Sequence, residues 1–213
     1  MGPVLLVIAK APVPGRSKTR LCPPCTAAQA AALAEAALCD TLAAVAATPA
    51  ARRVLVLDGE PGAWLPPGID VVAQRGGGLA ERLAFAFADA ADGAPALLVG
   101  MDTPQLTPRL LELGLDALRD GARSVLGLAA DGGYWAIGLQ RPDPAVFAGV
   151  PMSSSRTGAA QYERLRRLGL DPAALPILRD VDRIADAMQV AALAPDGRFA
   201  LALDAMTSEL AAV

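Results

Sequence analysis

Histidine does not occur in this chain of 213 residues. Its absence removes Ser-His-Asp triads, Cys-His dyads, His-ligated zinc and imidazole proton shuttles together. Only three cysteines are present, too few for a four-cysteine zinc site, and no histidine can complete one. Long unbroken apolar runs are also missing. Hydrophobic content is 54% and mean hydropathy +0.39, but the Ala-rich segment from Thr26 to Ala47 is interrupted by Gln29, Glu35 and Asp40, so no bilayer span of about 20 apolar residues is expected. The N-terminus shows neither a charged leader nor a cleavage-site pattern, which predicts a cytoplasmic location. A net charge of −3 and a pI near 5.0 argue against general nucleic-acid binding, which needs a broad basic surface. Any chemistry here must use carboxylates, cations, backbone dipoles or a hard metal ion.

Lysine is nearly absent as well, and its distribution is informative. Of 19 Lys plus Arg, two are lysine and 17 arginine (19 − 2). Both lysines lie in Lys10-Ala-Pro-Val-Pro-Gly-Arg-Ser-Lys18-Thr-Arg20, directly after the apolar run Val4–Ile8. Four cations in a Pro/Gly loop leaving a strand suit an anion, and a phosphate first of all. A merely solvated charged loop is the plainer reading.

The length suits one domain, taken as residues 1–213. Short β-branched or Leu-rich runs alternate with amphipathic stretches, which predicts an α/β fold with a mostly parallel sheet. Strands are expected near Val4–Ala9, Val54–Asp58, Ile69–Ala73, Ala96–Gly100, Ser124–Leu128 and Tyr134–Leu139. Thr26-Ala-Ala-Gln29 has capping-box spacing and opens a first helix. Further helices are predicted over Leu79–Ala91, from Thr107-Pro108 to Arg119, over Gln161–Leu168 and Ile184–Leu193, and from Phe199 to Val213.

Five further groups of residues are candidates for chemistry. Gly100-Met101-Asp102-Thr103-Pro104 puts an acid at the carboxyl end of a central strand, where open α/β sheets bind ligands. Beside phosphate-seeking cations, Asp102 is a candidate ligand for Mg²⁺ or Mn²⁺, and a turn or helix cap is its alternative role. Asp131-Gly132-Gly133-Tyr134-Trp135 offers an acid, amides that could hold an anion or sugar hydroxyl, and two of the eight aromatics. Asp-Gly is equally a hairpin signal. Asp180-Val181-Asp182 could complete a metal site or cap the helix that follows. Gln74-Arg75-Gly76-Gly77-Gly78 suits close packing against a planar or phosphate-bearing ligand. Cys22-Pro-Pro-Cys25 has dithiol-oxidoreductase spacing, though the surrounding cations are better explained by phosphate.

Taken in order, Lys10-x-Pro-x-Pro-Gly-x-x-Lys-Thr-Arg-Leu21, Gly100-x-Asp-x-Pro104, Asp131-Gly-Gly-Tyr134 and Asp180-Val-Asp182 resemble the bacterial GT-A-type transferases found beside radical-SAM and selenium-domain proteins, often labelled arsenosugar-biosynthesis glycosyltransferases. The chain is more distantly similar to phospholactate and molybdenum-cofactor guanylyltransferases. This resemblance implies a Rossmann-like three-layer αβα fold of the nucleotide-diphospho-sugar transferase type. It implies that Lys10, Pro12, Gly15, Arg16, Lys18, Thr19 and Arg20 surround nucleotide phosphates, with Gln74 and Gly76 near the base and Gly132 and Gly133 in the ligand loop. Asp102 and Asp182 would hold the metal, and Asp131 would face the acceptor or donor sugar; on electrostatic grounds Asp131 and Lys18 are the candidate catalytic residues. Leu128-Ala129 stands where the family usually has Gly-Pro, and Arg183 where it usually has Thr.

The expected activity is metal-dependent glycosyl transfer from a nucleotide sugar to a small-molecule acceptor, with release of a nucleoside diphosphate. The alternative is nucleotidyl transfer with release of pyrophosphate. Neither nucleic acid nor membrane is an expected partner. A silent nucleotide-binding module and a thiol oxidoreductase are the competing classes.

Overall fold

The computed structural model describes residues 2–211. Seven strands form one sheet: β1 (Val4–Lys10), β2 (Arg52–Asp58), β3 (Asp70–Ala73), β4 (Ala96–Gly100), β5 (Ser124–Leu128), β6 (Tyr134–Leu139) and the two-residue β7 (Ala173–Ala174). Their order is β3-β2-β1-β4-β6-β5-β7. Every pair is parallel except those of β6, which runs antiparallel to both β4 and β5. β1 and β4 are buried along nearly their whole length, which explains why they read as continuous apolar runs rather than alternating ones.

Among the described residues six α-helices accompany the sheet: α1 (Ala27–Ala47), α2 (Leu79–Ala90), α3 (Pro108–Arg119), α4 (Thr157–Arg167), α5 (Ile184–Leu193) and α6 (Arg198–Ala211). Leu38, Leu42 and Val45 of α1 and Leu111, Leu115 and Leu118 of α3 pack with Leu5, Val7 and Leu97 on one face. Leu83 and Phe87 of α2 and Leu165 of α4 pack with Leu6, Leu98 and Ile137 on the other. The result is the three-layer αβα arrangement. A third cluster joins α1 to α5 and α6 through Leu33, Val190 and Phe199.

The caps follow the sequence signals. Thr26 Oγ1 accepts from the Gln29 amide at 3.2 Å, and Gln29 Oε1 accepts from the Thr26 amide at 2.9 Å. Thr107 caps α3 ahead of Pro108. The α4 helix begins at Thr157, four residues before the expected start, and β7 lacks any sequence signal. The expected C-terminal helix is present as α6, and its last two expected residues, 212–213, lie outside the described ones. One described helix, α1, is long and apolar enough to cross a membrane by length and composition, contrary to the reading of its polar interruptions. Its apolar side is spent on the two clusters just described, and slightly more than half of its apolar window is buried inside the protein.

Candidate functional site

In the parallel part of the sheet, Lys10 ends β1 opposite Asp58 of β2, and Gly100 ends β4 opposite Ile8. The loops leaving these strands therefore gather at one edge, the carboxyl edge where such sheets bind ligands. They enclose a cleft of about 800 Å³.

The basic loop is shaped from within. Ser17, which no sequence motif singles out, is buried, accepts from the Val13 amide at 3.1 Å and donates to the Ala11 carbonyl at 3.3 Å. Lys18 follows in the left-handed region at φ 50°, a conformation that non-glycine residues adopt at a cost and that clusters at functional sites. Its side chain is only 9% exposed, and its ammonium lies 2.6 Å from Asp102 Oδ1, whose side chain is 48% exposed. Lys18 Nζ also donates to the Val181 carbonyl, and the Val181 amide donates to the Asp102 carbonyl at 2.9 Å. Lys18, Asp102 and Val181 thus close a ring that ties the β1 loop, the β4 loop and the segment before α5 together.

Asp180 stands beside this ring. Its Oδ1 is buried without a hydrogen-bond partner, although the residue as a whole is only partly buried. Burial first, and then the nearby Asp102 and Asp131 carboxylates, push its pKa up to about 7 against the pull of Lys18. Thr103 Oγ1 and Gln105 Oε1, on the same β4 loop as Asp102, are also buried without partners. Neither Asp102 nor Asp180 is used as a helix cap: Thr107 caps α3, and at α5 the capping acid is Asp186, which accepts from the Arg183 amide at 3.0 Å. Asp182 is more exposed and accepts from Arg20 Nη1 on both carboxylate oxygens, at 2.9 and 3.1 Å.

The remaining candidates divide by position. Lys10, Arg20, Gln74, Asp131, Gly133 and Asp182 line the same cleft as Asp102 and Asp180. Pro12 and Arg16 line a second hollow of about 380 Å³ with Glu60 and Trp64, which shares Lys10 with the main cleft. Gly15 is exposed at the loop tip with φ 76°, and Thr19 begins a short 3-10 turn that ends at Leu21. Gly76, at φ 110°, packs on the first turn of α2, and the Gly77 amide is taken by Glu81 Oε2 at 2.9 Å. This glycine run is tied to its own helix.

Asp131-Gly132-Gly133 forms the turn of the β5–β6 hairpin, with the Ala129 amide donating to the Gly133 carbonyl at 3.0 Å. Asp131 Oδ1 accepts from the Gly133 amide at 2.8 Å. The glycines are required by backbone rather than by open space. A Cβ on Gly132 would lie 2.0 Å from the Ser155 carbonyl oxygen, and one on Gly158 would lie 2.4 Å from that of Gly133. The hairpin is thereby pressed against the Ser153–Ser155 loop, which lines the cleft and which carries no motif in the sequence. Tyr134 and Trp135 are mainly packing residues. Burial drives the Tyr134 hydroxyl pKa up, and Trp135 Nε1 donates to the Pro176 carbonyl at 3.0 Å.

The three cysteines are free thiols. Cys25 is buried against Met206, with its pKa raised by burial, the opposite of an activated dithiol.

Among the described residues, no three acidic or thiol side chains gather into a preformed metal cage. A divalent ion shared with substrate phosphates needs only one or two carboxylates. The unpartnered Asp180 oxygen beside Asp102 fits that requirement.

Comparison with known proteins agrees with this fold. A structure from Desulfovibrio desulfuricans G20, provisionally described as a nucleotide-diphospho-sugar transferase, is 29% identical, with 87% of this chain and 85% of that one covered and a TM-score of 0.76. The 2-C-methyl-D-erythritol 4-phosphate cytidylyltransferase of Thermus thermophilus shares the fold at 17% identity, 92% and 100% coverage and a TM-score of 0.56. Rv0371c of Mycobacterium tuberculosis H37Rv, solved in complex with manganese, does so at 20% identity, 89% and 98% coverage and a TM-score of 0.50. No protein of curated function matches the sequence. The fold is that of the nucleotide-diphospho-sugar transferases. Residues 29–154 match the bacterial family profile described as an uncharacterized protein conserved in bacteria (DUF2064), and the chain belongs to that family.

Proposed function

We propose that the protein is a metal-dependent glycosyltransferase that takes a nucleotide sugar and releases a nucleoside diphosphate. The observation that carries this reading is the 2.6 Å contact of the largely buried Lys18 ammonium with Asp102, which lines a cleft at the carboxyl edge of the sheet. It supplies a fixed cation and a carboxylate at one point, the pairing that a diphosphate with its counter-ion calls for.

Asp102 and Asp180 would hold Mg²⁺ or Mn²⁺, while Asp182 keeps Arg20 directed over the entrance. Such an ion, when bound, neutralises charge that builds on the departing phosphate oxygens. Lys18, held by Asp102 and the Val181 carbonyl, contributes a second positive charge whose position is set before substrate arrives. Arg20 and Lys10 line the same cleft and are available to the outer phosphate oxygens. Asp131, fixed by its own hairpin turn and facing the hydroxyl-rich Ser153–Ser155 loop, is the candidate base for an acceptor hydroxyl. No step requires an imidazole.

The fold is shared with a cytidylyltransferase, so the released product decides the reaction type. The protein is to be incubated with Mn²⁺ and either a panel of nucleotide sugars or the four nucleoside triphosphates. Release of a nucleoside diphosphate from a nucleotide sugar is the expected result. Pyrophosphate released only from a triphosphate would reassign the protein to nucleotidyl transfer.

A further inference from the structure

Gln74 lines the cleft, but its amide is engaged within the protein. Its Nε2 donates to the Ala9 carbonyl at 3.2 Å and to the Val56 carbonyl at 3.4 Å, and its Oε1 accepts from Arg82 Nη1 at 3.0 Å. Arg82 Nη1 also donates to Asp58 Oδ2 at 3.1 Å. Both hydrogens of that nitrogen are therefore committed. A guanidinium has five N–H donors, and the Nε and Nη2 donors of Arg82 have no partner among the described residues. These lie along one edge of the planar group and form the parallel fork that binds two adjacent acceptors.

The position of this fork narrows what it reads. Arg82 lines the main cleft on the β2 side, where its anchor Asp58 ends β2. Asp102 follows β4, two strands away, a separation of about 10 Å at the usual strand spacing. Lys18, Asp102 and Asp180 mark the phosphate end, so the fork stands at nucleoside distance from it. Gly77, Leu79 and Leu83 line the same cleft as Arg82 and give it apolar side chains on which a planar ring can lie. Its charge is offset by Asp58, with side-chain exposures of 27% and 30%. A neutral pair of acceptors therefore suits it better than a further phosphate.

We infer that Arg82 selects the nucleobase, and that Gln74 and Asp58 are positioning residues that hold its fork. Two adjacent acceptors occur on guanine at O6 and N7 and on cytosine at N3 and O2. Adenine offers a donor beside its N7, and on uracil an N–H separates the two carbonyls. The cleft accordingly prefers guanine or cytosine nucleotides. This rests on the nucleotide-binding reading above and adds the base to it.

The test is calorimetric titration of GDP, CDP, ADP and UDP in the presence of Mn²⁺. The wild-type protein is compared with Arg82→Ala, Arg82→Lys and Gln74→Leu. GDP or CDP should bind roughly ten- to a hundredfold more tightly than ADP and UDP, and the relative affinity of those two identifies the base. The preference should vanish in Arg82→Ala and also in Arg82→Lys, which keeps the charge but loses the fork. It should shrink in Gln74→Leu. If Arg82→Ala weakens all four ligands equally, or Arg82→Lys restores the wild-type pattern, the residue is a phosphate contact and the base assignment fails while nucleotide binding stands. If the wild-type protein binds all four alike, base selection is excluded. If it binds none, the functional reading fails with it.

Discussion

Asp180 shows how far a single residue can be read from the sequence. The Asp-Val-Asp pattern marks two acids as candidates for one metal, and nothing in it says which of them turns inward. The fold decides, because Val181 pairs with the Asp102 backbone. This leaves Asp180 with a buried oxygen and Asp182 with Arg20. The environment of Asp180 has a measurable consequence. Its folded pKa is raised from 3.8 to about 7, so between these values the folded state binds more protons than the unfolded one. Stability then falls as pH rises through that window, and the full penalty is present above it. Asp180→Asn should remove the penalty, and its melting temperature should exceed that of the wild type at pH 8 but not at pH 4 when no metal is added. A pH series of thermal melts on both proteins checks this. Equal pH dependence would mean that Asp180 is not held in an unfavourable environment. Lys18 is legible for a different reason: a chain that otherwise uses arginine places both its lysines in one loop. Its left-handed backbone is not legible, because no turn residue announces it.

At the scale of elements, local signals suffice where the partner is local and fail where it is remote. The Thr26 capping box and the Thr107-Pro108 start need only residues three positions away. Asp40 reads as a polar interruption of α1, yet its carboxylate accepts from the Arg198 and Phe199 amides at 3.0 and 2.9 Å. It caps α6 from a distance of more than 150 residues in sequence. Asp40→Ala should therefore cost about 1 kcal/mol, the usual value of an N-cap. β7 and the start of α4 are hidden for the same reason: each is defined by what it packs against rather than by its own pattern. The glycine pair at Gly133 and Gly158 yields a stronger expectation. Gly158→Ala forces a methyl to within 2.4 Å of a backbone oxygen, and overpacking of this kind costs roughly 1–3 kcal/mol. Because the displaced group is the turn that carries Asp131, the same variant should also lose activity. Urea unfolding of both variants, with assays of the second, measures these effects. A Gly158→Ala protein with unchanged stability and activity would show that the hairpin and α4 do not depend on this close approach.

For the whole molecule, alternation of short strands with helices reveals a mostly parallel α/β fold, because buried parallel strands read as unbroken apolar runs. The single antiparallel strand β6 can be inferred only from the Asp-Gly-Gly turn, which reads equally as a hairpin and as a ligand loop. It is a hairpin whose tip also reaches the cleft. The topology brings together segments more than 150 residues apart at Lys18 and Val181, and this convergence is the central claim. Its most direct test is calorimetric titration of a nucleoside diphosphate with and without Mn²⁺, using the wild-type protein, Lys18→Met and Asp102→Asn. Binding should require the metal, fall at least tenfold in Lys18→Met and lose its metal dependence in Asp102→Asn. Tight binding that is indifferent to Mn²⁺ and to both substitutions would contradict the account.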